Sequence, residues 1–392
     1  MGRVRIAIVA GEASGDLIGS HLVEGLRRHL PDAEFVGIGG ARMQAAGLQS
    51  LFPMEALSVR GVAEVLGHIR EILAIRRKLI RHFRDDPPDL YVGVDAPDFN
   101  LGVETKLRSA GIPTIQYVGP AFWSWGRHRV EKVKRAALRV LAIFPFEEPL
   151  YREAGVPVTY VGHPLADMIP ENPDQAAMRE QMRLPQNAPV IALLPGSRRA
   201  ELKYMADLFI GTARVLLERA PNLRFLVPLA NRETRAQFEE ALYRNQALDL
   251  PLSLLFGHSQ DAMTAADGVV ACSGTATLEA ALLKRPMVIT YKMAPLTWWV
   301  SQRKAYVPWA GLPNILAGEA LVPEFLQDQA TPENLANGLI GIMSDEHRMR
   351  RLEERFREIH QLLRRNTAEQ AALAVLPYLG SRIADRGMRI AT

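Results

Sequence analysis

Along the chain, short apolar runs rich in β-branched residues alternate with longer stretches whose apolar positions recur every three or four residues. Runs of the first kind fall at residues 5–9, 34–37, 90–94 and 113–117, with amphipathic stretches at 17–30, 62–84 and 100–110. The pattern restarts at 190–194, 223–227, 252–255, 268–271 and 286–291, again with helical periodicity between the runs. Apolar runs of this length predict buried strands, and their alternation with helices predicts parallel sheets covered on both faces. The expected fold is therefore α/β with two Rossmann-like domains. The hinge is expected near Gly162-His163-Pro164, before a Pro- and Asn-containing stretch at 169–173. This divides the chain into 1–164, 165–355 and a helical C-terminal segment at 356–392.

A length of 392 residues supports two domains, and 48% hydrophobic with 23% charged residues is an ordinary soluble balance. The formal charge is only +4 although the pI is about 9.2, so composition does not by itself imply nucleic acid. The single Cys272 excludes an internal disulfide and a cysteine-rich metal site. No secretory-type sequence follows Met1 and no apolar run reaches membrane-spanning length, which predicts a cytoplasmic protein with at most peripheral membrane contact.

In open parallel sheets, ligands bind beyond the carboxyl ends of the strands, and four loops there stand out. The first is GEASGD, where Gly11 and Gly15 allow close backbone approach and Ser14 or Asp16 could cap the following helix. A capped tight turn explains it equally well. No G-x-G-x-x-G follows the strand, and Gly37-Ile38-Gly39-Gly40 lacks a well-placed ribose-binding acid, so a dinucleotide site has little support. The second is DAPDFN, with Asp95 and Asp98 braced by Pro97 and followed by Asn100. One acid could act as a general base while the other orients it; the plainer reading is that both cap or solvate.

The third loop, LPGSRRAE, sets Gly196 and Ser197 at a helix start beside Arg198, a combination suited to a diphosphate. A tight turn with a surface arginine is the alternative. In the fourth, CSGTATLEAALL, residues Ser273, Gly274, Thr275, Ala276 and Thr277 open another helix, with Glu279 about one turn inside. A capping box to Glu279 would need its cap at Ala276, which has no acceptor, and this leaves Glu279 available to ribose hydroxyls. Two anion-binding helix starts in one domain and a carboxylate loop in the other suit a nucleotide-diphosphate sugar transferase working across a cleft.

GEASGD, VGVDAPDFN, VGHPLAD, LPGSRRAE, CSGTATLE and GLPNILAGE occur in this order over nearly the whole chain. Together they resemble the lipid-A-disaccharide synthases of Gram-negative bacteria. That resemblance implies the GT-B architecture and an inverting transfer from UDP-2,3-diacylglucosamine to the 6-hydroxyl of 2,3-diacylglucosamine 1-phosphate, without metal or cofactor. It implies Asp98 as the base, Arg198 on phosphate, Glu279 on ribose and Asn314 near the donor. By itself, an asparagine after Pro313 is as readily a turn residue. It also implies a dimer with exchanged C-terminal segments, although the segment could equally pack back on its own N-terminal domain.

The stretch YVGPAFWSWGRHR departs from the family pattern, with fewer serines before the tryptophans and Gly126 where a basic residue is expected. Trp123 and Trp125 could meet a sugar or lipid, or fill the core. In 66–84, the apolar Leu66, Ile69, Ile72, Leu73, Leu79, Ile80 and Phe83 alternate with cations including Arg70, Arg76, Arg77 and Lys78. This describes an interfacial helix or a core-facing helix with a basic outer face; acylated substrates favour the membrane. The rivals are a UDP-sugar 2-epimerase or hydrolase of the same fold and a basic nucleic-acid binder. The carboxylate loop is out of place in the latter.

Overall fold

The computed structural model describes residues 3–57, 62–120, 128–294, 298 and 308–380. They form two units, one running to Asp167 and rejoined by the chain from Leu362, the other spanning Met168–Gln361. Each unit carries its own parallel sheet.

The first sheet contains β1 (Arg5–Ala10), β2 (Glu34–Ile38), β3 (Leu48–Ser50), β4 (Leu90–Val94), β5 (Thr114–Tyr117), β6 (Arg139–Ala142) and β7 (Val158–Tyr160). Their order across the sheet is β3-β2-β1-β4-β5-β6-β7. The second sheet contains β8 (Val190–Leu194), β9 (Arg224–Leu229), β10 (Leu252–Phe256), β11 (Gly268–Cys272), β12 (Met287–Tyr291) and β13 (Glu324–Leu326), in the order β10-β9-β8-β11-β12-β13. The central strands β1, β4, β8 and β11 are apolar and buried because helices cover both faces. In register, Ile6 of β1 faces both Phe35 of β2 and Leu90 of β4.

One face of the first sheet is packed by the helices Val62–Asp85 and Pro97–Arg108. Ile75, Leu79 and Phe83 of the former and Phe99, Val103 and Leu107 of the latter meet Ala7, Val9, Val36, Ile38 and Tyr91. The chain from Leu362 returns to this unit. There the Asp167 carboxylate accepts from the Asn366 and Thr367 amides at 3.0 and 2.6 Å, tying down the start of helix Thr367–Val375.

That helix crosses Ala13–His29 at Gly25, where a Cβ would fall 2.2 Å from the Ala368 carbonyl oxygen. Backbone on the far side cannot yield as a flexible side chain would. Gly25→Val is therefore expected to lower the unfolding free energy by about 1–3 kcal/mol. The control is Gly341→Ala, at an exposed helical position with nothing within 4 Å, where about 1 kcal/mol of helix propensity should be gained. Urea unfolding of both variants measures the contrast.

Candidate functional site

Both sheets reverse their strand order once, between β1 and β4 and between β8 and β11. At such a switch point the chain leaves the two strands in opposite directions, opening a crevice at their carboxyl ends. The four loops singled out from the sequence are the four that leave these strands. The sheets thus bring GEASGD to DAPDFN, and LPGSRRAE to CSGTATLE.

In the first pair the Ser14 hydroxyl donates to Asp95 Oδ2 at 3.1 Å. Gly11 and Gly15 allow the approach: a Cβ on Gly11 would lie 3.0 Å from Ala96 Cβ, and one on Gly15 would lie 3.3 Å from the Val94 carbonyl. Asp95 and Ala96 both have left-handed backbone, with φ of 52° and 41°. The turn brings Pro97 to the first helical position, where its missing N–H costs nothing. Asp98 follows in the first helical turn, exposed, while Asp95 is half-buried against Ser14.

Asn100 does not reach toward the crevice. It is fully buried, its Nδ2 donating to the carbonyls of Val9 at 3.1 Å and Asp95 at 2.9 Å, and its Oδ1 accepting from the Tyr91 hydroxyl at 2.9 Å. The Gln116 amide, also buried, donates to the same Asp95 carbonyl at 3.2 Å and to Val118 at 2.8 Å. Gln116 went unnoticed in the sequence; its signal was a lone amide within the apolar run 113–117. Asp16 serves another element. It was expected as a cap for its own helix, but that helix begins at Ala13 and places Asp16 inside the first turn. Its carboxylate instead accepts from the amides of Gly40, Arg42 and Met43 at 2.8–3.0 Å, capping the helix Ala41–Ala45.

In the second pair Gly196 has φ +115°, and the turn leads into helix Arg199–Arg219. The Gly196 and Ser197 amides were expected to point out of the helix start, but the Ser197 amide and that of Arg198 turn inward. The Ser197 and Arg198 amides donate to Glu201 Oε2 at 3.0 and 3.2 Å, while Arg198 Nη1 reaches Oε1 at 2.9 Å. Glu201 lies at the third helical position, where a carboxylate folds back on the cap. On the other loop, the Ser273 hydroxyl donates to the Ala310 carbonyl at 2.7 Å, and the buried Thr277 hydroxyl turns back to the Gly274 carbonyl at 2.8 Å. No side chain caps helix Thr275–Leu282, and Thr275 is exposed at its start. Glu279 is half-buried one turn in, its carboxyl pushed up to about 7 by burial. Asn314 is buried, exchanging hydrogen bonds with the Val322 backbone at 2.9 Å and donating to Glu324 Oε1 at 2.8 Å. Glu324, another residue without a local signal, also accepts from the Ala310 and Gly311 amides at 2.7 and 2.9 Å.

Helix Val62–Asp85 divides its apolar stripe. Leu79 and Phe83 are core, Ile72 and Ile80 pack against it, Leu73 is half-buried and Ile69 is 38% exposed. Arg76 is half-buried, whereas Arg70, Arg77 and Lys78 are exposed. The Leu66 side chain and the tryptophans at 123 and 125 lie outside the described residues. Among the described residues no helix is long and apolar enough to cross a membrane.

Two parallel sheets, each with a switch point carrying glycine, hydroxyl and charged loops, define the GT-B architecture. Its fold is shared with a UDP-GlcNAc 2-epimerase from Neisseria meningitidis (13% identity, TM-score 0.65, 96% of this chain and 100% of that one). It is shared equally with a glycosyltransferase from Rickettsia africae (11% identity, TM-score 0.58, 97% and 99%). At these identities the likeness concerns fold alone. Residues 6–375 match the family described as Lipid-A-disaccharide synthetase. A lipid-A-disaccharide synthase from Dechloromonas aromatica is 57% identical over 377 residues, covering 96% of this chain and 99% of that protein. The chain belongs to the lipid-A-disaccharide synthetase family and is a glycosyltransferase.

Behind the first loop pair, Glu104 is wholly buried on helix Pro97–Arg108, and burial pushes its carboxyl from 4.5 up to about 8. Folding therefore retains a proton that the unfolded chain has already released, so stability falls as pH rises from about 4.5 to about 8. Glu147, buried near β6 and pushed up to about 8 by the same cause, contributes with the same sign. Glu104→Gln should flatten this dependence, matching the parent near pH 5 and exceeding it near pH 8.5 in urea unfolding.

Proposed function

We propose that the chain joins UDP-2,3-diacylglucosamine to 2,3-diacylglucosamine 1-phosphate, giving a β-1,6-linked disaccharide 1-phosphate and UDP. The observation that carries this reading is the first switch point, where Asp95 is tied to Ser14 while Asp98 projects outward from a rigid helix start. Such a division suits one orienting acid and one base. Asp98 takes the proton of the acceptor 6-hydroxyl as its oxygen attacks the donor's anomeric carbon. The bond from that carbon to the β-phosphate oxygen breaks on the opposite face, so configuration inverts without a covalent enzyme intermediate.

The second unit takes the donor and the first takes the acceptor. Arg198, with Gly196 and Ser197 shaping its turn, meets the diphosphate and stabilises the departing UDP. Ser273, Gly274, Thr275, Ala276 and Thr277 frame the nucleotide, and Glu279 accepts from ribose hydroxyls. Asn314 holds the 310–314 segment against Glu324 beneath them. On the acceptor side, Gly11, Ser14, Gly15 and Asn100 shape the two loops rather than bind directly, Asp16 caps helix Ala41–Ala45 beside them, and Trp123 is assigned to the acceptor from sequence alone.

Acyl chains keep both substrates at a bilayer, so the enzyme works as a peripheral protein on the cytoplasmic side of the inner membrane. The outer part of the stripe, Leu66, Ile69 and Leu73, inserts at the surface while Arg77 and Lys78 face anionic headgroups; Ile72 and Arg76, which the sequence also assigned to the membrane, pack inward against the core and Gly102. Each cation is worth about 1 kcal/mol there. A homodimer is compatible with the C-terminal helix but is not required by the chemistry.

UDP release from the purified protein should need both glycolipids. Asp98→Asn should lower kcat by about 10²–10⁴-fold with an unchanged melting temperature. Release without acceptor would sink the transferase reading in favour of hydrolysis or epimerisation. Glu279 supplies a second test, because its ionised form accepts from ribose hydroxyls through both oxygens and more strongly than its protonated form. UDP affinity should rise as pH increases through about 7. In Glu279→Gln that rise should shrink to the part due to the UDP phosphate itself, as calorimetric titration at pH 6 and 8 would measure.

A further inference from the structure

We propose that Glu201 is the positioning residue of the donor site, holding Arg198 in the direction that receives the diphosphate. This rests on the reading of the LPGSRRAE loop as the donor's phosphate site. The carboxylate divides its two oxygens: Oε2 takes the amides of Ser197 and Arg198, and Oε1 takes the Arg198 guanidinium. These two amides are thereby spent within the loop, and the guanidinium is the charged group of the turn that is left facing outward.

The turn is built around this side chain. With φ +115° at Gly196, a Cβ there would fall 2.7 Å from Glu201 Oε2 and 2.8 Å from Glu201 Cβ, so no other residue fits. Exposure assigns the order of the pair: the Glu201 side chain is 11% exposed and that of Arg198 44%, placing the acid behind and the base in front. Both lie over the second switch point, close enough to Cys272 at the end of β11 and Tyr291 at the end of β12 to influence their protons. Glu201 raises each group and Arg198 opposes it, within shifts that burial dominates. An arginine on an exposed loop would otherwise lose rotamer freedom only on meeting its ligand; here its carboxylate partner fixes it beforehand. Unused N–H donors of the guanidinium remain for phosphate oxygens.

The test is a double-mutant cycle read by UDP binding, with Arg198→Ala, Glu201→Gln and the double variant. Glutamine keeps an acceptor for the loop amides but can present a donor where Arg198 needs an acceptor. Glu201→Gln should weaken UDP about tenfold in the parent and change it less than about twofold once Arg198 is gone. The donor KM should rise in parallel. Equal losses in both backgrounds would reduce Glu201 to a helix cap, and tighter binding in Glu201→Gln would make it a competing anion; either overturns the proposal. Should the glutamine variant fold poorly, Glu201→Asp keeps the charge but draws it back by one methylene. It should show an intermediate loss that likewise vanishes in Arg198→Ala, and a loss that persists there overturns the proposal. Failure of the parent to bind UDP would instead remove the donor-site reading itself, and the positioning role with it.

Discussion

Neighbouring parallel strands that send the chain away in opposite directions cannot have the gap between their carboxyl ends covered by either crossover helix. This constraint acts twice, at β1/β4 and at β8/β11, and the chemical side chains hang from it. Elsewhere along each sheet, successive crossovers pack over the strands they join. At the two gaps the exits diverge, and short loops must close their floors while leaving their tops open.

Closing the first gap uses polar groups where the core would otherwise be apolar. Two consecutive left-handed residues at 95–96 cost on the order of 1 kcal/mol each or somewhat more. The Asn100 and Gln116 amides converge on the Asp95 carbonyl, and Ser14 holds its side chain. At about 0.5–1.5 kcal/mol per net hydrogen bond these contacts are of the right size to offset the strain. What the arrangement gains is direction, since the helix carrying Asp98 starts at one fixed place. In the second gap Glu201 does the corresponding work for Arg198.

The periodicity made the long central strands legible because burial on both faces leaves unbroken apolar runs, as at 90–94 and 190–194. β3, β6, β7 and β13, with only 3 or 4 residues each, escaped notice, although β5, also of 4 residues, was read at 113–117. Helix starts were placed too late at 17 and 100, since the first turns GEASGD and DAPDFN read locally as loops. Motif position was legible; motif orientation was not. Asp16 bonds to amides 24 to 27 residues away, and Gln116 bonds to a carbonyl 21 residues away, so no local rule exposes either partner.

The same limit explains why residues of one motif divide into two roles. Buried Asn100, Thr277 and Asn314 have their side chains committed to the protein's own backbone, and Glu201 is largely covered. Close to them in sequence, Asp98, Thr275 and Arg198 are exposed. A polar side chain satisfied inside the fold has little capacity left for a ligand, but it fixes the backbone from which its neighbour acts. The motifs therefore extend beyond their reactive groups because each carries its own support. A substitution at a buried member should act through geometry, and one at an exposed member through chemistry.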